Sequence, residues 1–67
     1  MERQERLRAL VDARTDRELA AAIRSALAFA KARRDEVVRL AVEPFIMLAL
    51  ARGIDPAELG LRETTRG

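Results

Sequence analysis

The sequence predicts an all-α protein: a short helix, a long second helix kinked at a proline, and a short C-terminal helical turn, with copies joined in an oligomeric helical bundle. Three observations carry this. Between Asp16 and Glu43 there is no Gly or Pro, and Leu19, Ile23, Leu27, Ala30, Val37, Ala41, Phe45 and Leu48 keep helical spacing. Phe45 to Ala51 is an unbroken apolar run, which on a helix leaves no polar side for water. The third is size. A chain of 67 residues buries only about 60% of the surface its unfolded form exposes. With no Cys and no His, disulfide and zinc staples are closed to it, and association of copies remains as the stabilising device.

The first helix is expected over Glu2 to Ala13, where Leu7, Leu10 and Val11 share a side and Glu2 faces Arg6 as an i,i+4 ion pair. At about 12 residues it is marginal alone and must dock. Thr15-Asp16-Arg17-Glu18 matches a capping box and opens the second helix. A kinked continuation of the first helix is the alternative there. Lys31, Asp35, Arg39 and Glu43 stand four apart with alternating sign, a ladder of pairs contributing about 0.2 to 0.5 kcal/mol each. That ladder argues for helix straight through Arg33-Arg34-Asp35.

Pro44 is the one serious interruption, because it removes a backbone donor and clashes with the carbonyl four residues earlier. Either the helix kinks there or one helix ends and another begins. Unbroken from Asp16 to Arg52, it would be about 55 Å long. Gly53 suits a helix C-cap after Arg52, and Asp55-Pro56 suits an N-cap followed by a first-turn proline, opening a short turn through Leu59. Ile54, Leu59 and Leu61 are expected to pack back on the preceding helix. The domain therefore spans 1–61, with 62–67 as a frayed tail.

Composition narrows the function classes. Lys and Arg total 13 against 11 acids, so a pI near 10.4 rests on a net charge of only +2. That is weak footing for nucleic-acid binding, which needs clustered cations on phosphates. With two Phe and no Tyr or Trp, there is little to stack on bases. Val37 to Ala51, the longest mainly apolar stretch, contains Arg39 and Glu43 and falls short of the about 20 residues a membrane span needs. The charged start, Met-Glu-Arg-Gln-Glu-Arg, has no signal-peptide core. A cytoplasmic protein without a membrane partner is expected.

Chemistry finds few candidates. Glu36 and Glu43 share a face, but it is the polar one, where carboxylates stay solvated. Ser25, Thr15, Thr64 and Thr65 have no His to activate them. Gly53, Gly60 and Gly67 are isolated, so no phosphate loop is present. No enzyme, cofactor or metal is expected. Helix-turn-helix architecture would need a tight turn after Ala20, where the residues instead continue a helix.

Two features remain. The alanines from Ala20 to Ala32 suit close helix packing or reflect good helix propensity, and the sequence does not choose between these. Arg17, Arg24 and Lys31 lie seven apart on one helix face, with Arg34 beyond them and no acid between Glu18 and Asp35. The function expected is a small non-enzymatic, oligomerising protein-protein interaction module, a regulator or adaptor. Its interface would use Leu19, Ile23, Leu27, Val37, Ala41, Phe45, Ile46 and Leu48. The alternative is a DNA-associated regulator holding phosphates with Arg17, Arg24, Lys31 and Arg34. The expected partners are the chain itself, as homodimer or higher, and another protein; nucleic acid has weaker support.

Overall fold

A computed structural model describes residues 2–61, with side chains from Arg3 onward. The Glu2–Arg6 pair and the tail 62–67 lie outside the described residues. Three helices, α1 (Glu2–Asp12), α2 (Asp16–Arg33) and α3 (Glu36–Ala51), are followed by a 3-10 turn, Pro56–Leu59. Every described element is helical.

α1 and α2 are separate helices. Thr15 is extended and accepts from the Glu18 N–H at 3.1 Å, as the capping box requires, while the Glu18 carboxylate reaches back one residue further than expected, to the Arg14 N–H at 2.8 Å. The link is short enough to make the two helices antiparallel neighbours.

The expected long helix is instead two. α2 stops at Arg33, Arg34 takes a left-handed conformation with φ 55°, and Asp35 begins α3 as its N-cap, accepting from the Val37 and Val38 N–H groups. The Asp35 N–H returns to the Ala30 carbonyl at 2.9 Å, the six-to-one bond of a Schellman closure with Arg34 in the place glycine normally fills. Asp35 therefore serves as a cap and not as a rung of a charge ladder. Its carboxylate pairs with Arg3 at 2.9 Å. Pro44, in turn, lies inside α3, and the helix is continuous across it.

α3 ends as the sequence indicates. Gly53 has φ 88°, and the Ile54 N–H reaches the Ala49 carbonyl at 3.1 Å. The 3-10 turn closes the same way, with Gly60 at φ 77° and the Leu61 N–H on the Pro56 carbonyl. Asp55 caps that turn by accepting from the Ala57 N–H at 2.9 Å. The turn lies chiefly on α2, not on the helix that precedes it, and Arg24 fixes it by donating to the Glu58 carbonyl at 2.6 Å.

Two ion pairs between elements set the order of the helices. Arg3 of α1 meets Asp35 at the start of α3, and Arg52 at the end of α3 meets Asp16 at the start of α2, both at 2.9 Å. So α1 and α3 run together and α2 runs against both. α2 is the centre. Leu19, Ala20, Ala22, Ile23, Ala26, Phe29 and Ala30 are buried on it, against Leu10 of α1, Val38, Val42 and Ala49 of α3, and Ile54 and Leu59 of the terminal segment. Five of these thirteen core residues are Ala, so the helices approach closely while removing little apolar area from water. The molecule measures 35 × 26 × 15 Å. α1, α2 and α3 each touch the other two, and among the described residues no further helix lies outside them.

Candidate interaction surface

α3 carries two apolar faces. One is Val38, Val42 and Ala49, buried, with Phe45 and Ile46 half-buried beside them. On the other side, Val37, Leu40, Pro44, Met47, Leu48 and Ala51 are all exposed, spaced three and four apart so that they form one stripe along the helix. The large side chains here are far from sheltered: Val37 and Leu40 are each 54% exposed and Met47 70%. Among the described residues, five of the six large apolar side chains exposed to solvent belong to α3, the sixth being Val11 of α1.

The charges of α3 are gathered off this stripe. Arg39 donates to Glu36 at 3.1 and 3.2 Å and stands 3.8 Å from Glu43. The Glu36 carboxylate beside it pushes the Arg39 guanidinium further above its ordinary range, so the guanidinium stays charged. At the N-terminal end, the Arg3 guanidinium, helped by the capping N–H groups, holds the Asp35 carboxyl below its ordinary value against a smaller opposing effect of burial. These contacts organise the ends and one flank of α3. They leave its outward stripe without a charged side chain.

The residues expected at an interface divide into two sets. Leu19 and Ile23 are buried in the protomer's own core, and Leu27, Ala41, Phe45 and Ile46 are half-buried beside it. Val37 and Leu48 alone stand on the exposed stripe. Leu40, Pro44, Met47 and Ala51, which complete it, carry a signal the sequence does contain, a second set of three-and-four spacings within Val37 to Ala51. That signal emerges once the inward face is fixed by Val38 and Val42.

The basic residues are also dispersed. Arg24 is engaged with the terminal turn, and Arg17 lies two heptads from Lys31, about 21 Å along the helix. Lys31 and Arg34 do meet, at an open groove of about 540 Å³ floored by Leu27, Ala30 and Leu61, but Glu36 and Arg39 line it too. Two further cations gather on Phe29: Arg33 is its i+4 neighbour on α2, a spacing the sequence does contain, whereas Arg6 comes from α1 with no signal in local spacing. Arg6 and Arg33 approach the Phe29 ring at 5.5 and 5.2 Å, and Arg6 donates to Ser25 Oγ at 2.7 Å. The Arg6 Nε is buried without an acceptor, so this contact joins α1 to α2 at some desolvation cost.

Among the described residues, no three acidic side chains gather as a metal site would require, and no helix is long and apolar enough to cross a membrane. The chain matches no known family model, no curated protein and no solved structure, so its function has to be argued from its own surface.

Proposed function

We propose that this protein is a small non-enzymatic interaction module that works by self-association, docking through the outward stripe of α3. The observation that carries the reading is the charge-free row Val37, Leu40, Pro44, Met47, Leu48 and Ala51 standing in solvent at heptad-like spacing. Contiguous exposed apolar surface of this kind marks interaction sites, because each Å² removed from water contributes about 25 cal/mol. A small protomer with an alanine-rich core has much to gain from such burial. The apolar segment after the proline is only partly sheltered by its own chain, since Ala49 is buried while Met47, Leu48 and Leu50 are not.

Phosphate binding by the basic residues has less support. Arg24 is tied to a carbonyl, and acidic Glu36 shares the groove where Lys31 and Arg34 meet. Light scattering at micromolar concentration tests the main reading: the native chain scatters as a dimer or larger, and Met47→Glu, which places a charge at the most exposed large side chain of the stripe, scatters as a folded monomer. A native chain that is folded and monomeric would overturn the proposal. Duplex DNA retarded at low salt, with a salt dependence of about −0.9 per phosphate contacted, would replace it with the nucleic-acid reading.

A further inference from the structure

We infer that α1 is a detachable strap: it leaves α2, α3 and the terminal turn as one unit and melts as it goes, while those three stay folded. The division of the core points to this. Of the thirteen core residues buried among the described ones, twelve belong to α2, α3 and the terminal segment, and α1 supplies Leu10 alone. Arg6 and Leu7 are half-buried, and every other described side chain of α1 is exposed. Burial of an apolar face is what holds a short helix in place, so α1 is the helix held least.

Its polar ties do not make up the difference. The Arg3 side chain is about half exposed where it meets Asp35, so solvent screens that pair. Arg6 donates to Ser25 Oγ and lies over the Phe29 ring, but its Nε is buried with no acceptor, and release returns that N–H to water. At 11 residues, α1 falls below the about 12–15 at which an isolated helix is marginal in water. Once undocked it therefore unfolds and regains chain entropy. The contacts that join the remaining elements do not run through α1. The Asp35 N–H on the Ala30 carbonyl turns α2 into α3, Arg52 meets Asp16, and Arg24 holds the Glu58 carbonyl. Release uncovers the Phe29 ring, which Arg6 overlies, and the place in the core that Leu10 fills. Arg3, Arg6 and Leu10 all lie off the outward stripe of α3, so this hidden surface is gated by the strap's own equilibrium and not by association.

Native-state hydrogen exchange on the full chain, read amide by amide by NMR, tests the strap. The N–H groups of Leu7 to Val11 report on α1, and those of Ile23 and Val42, at fully buried positions, report on α2 and α3. The expected result is measurable protection over Leu7 to Val11 that is at least about tenfold below that of Ile23 and Val42. It should also fall less steeply with urea, because opening α1 exposes less surface than unfolding the whole chain. Ile54→Val, a one-methylene deletion in the terminal segment, separates the two kinds of opening. It should lower protection at Ile23 and Val42 by about 2- to 12-fold and leave the α1 amides unchanged, since Ile54 stays packed while α1 is open. Equal protection and a common urea slope in all three helices would overturn the inference, as would an Ile54→Val loss shared by the α1 amides, because α1 would then open only with everything else. Leu7 to Val11 exchanging at the unprotected rate would overturn it from the other side, since a strap has to be docked.

Discussion

Three residues with positive φ, Arg34, Gly53 and Gly60, close the helical elements with the same backbone hydrogen-bond pattern. Two are glycines, which adopt this conformation without steric penalty; Arg34 is not, and its Cβ crowds the following carbonyl. Arg34→Gly is therefore expected to stabilise the fold by about 0.5–1 kcal/mol, and Arg34→Val to destabilise it by about 1–2 kcal/mol. Thermal unfolding followed by circular dichroism reads both changes. The same residue explains why the break between α2 and α3 is illegible in the sequence: the usual stop signals are Gly or Asn, and neither is there. Its neighbour Asp35 has the spacing of a rung between Lys31 and Arg39, yet it caps α3 and pairs with Arg3, a contact between residues 32 apart that no local spacing reveals. Because that partnership lowers the Asp35 pKa in the folded state, the stability it contributes is present above the unfolded value near 3.8 and is lost as pH falls through the folded one. Urea unfolding should show native protein more stable than Asp35→Asn at neutral pH, with the difference shrinking as pH drops below about 4.

At the scale of elements, what is legible is whatever local chemistry dictates. The Thr15 cap, the Gly53 stop and the Asp55-Pro56 restart are all found where the sequence places them. Pro44 reads as a kink or a boundary, whereas α3 continues through it, leaving the Leu40 carbonyl without its usual i+4 donor. Pro44→Ala restores that donor and should stabilise α3 by up to about 3 kcal/mol, visible as a higher urea midpoint at a concentration where the native chain is dissociated. A lower midpoint would show that packing depends on the proline. α2 makes the opposite demand. Ile23 is fully buried at the centre of an alanine-rich core, so Ile23→Ala, which leaves a cavity, should cost about 2–5 kcal/mol. In a protein this small that is enough to abolish the cooperative unfolding transition.

For the whole molecule, the deciding fact is the number of elements. Among the described residues three helices and one short turn leave nothing to cover the outside of α3, so a helix apolar on both sides has one side in water. Which of its residues face out is not readable from the run Phe45 to Ala51 alone, because a continuous apolar stretch hides its own periodicity. Burial in the protomer resolves it, assigning Val42 and Ala49 inward and Leu40 and Met47 outward. If association shields the outward row, folding is linked to protomer concentration by mass action. The Tm of the native chain should then rise with concentration, and that of Leu40→Glu should not move. Sedimentation equilibrium on the native chain, from submicromolar to high micromolar concentration, tests the shared α3 face most directly. A reversible shift from monomer to dimer mass across that range is expected; a single ideal monomer at every concentration, with its helices intact, would contradict it.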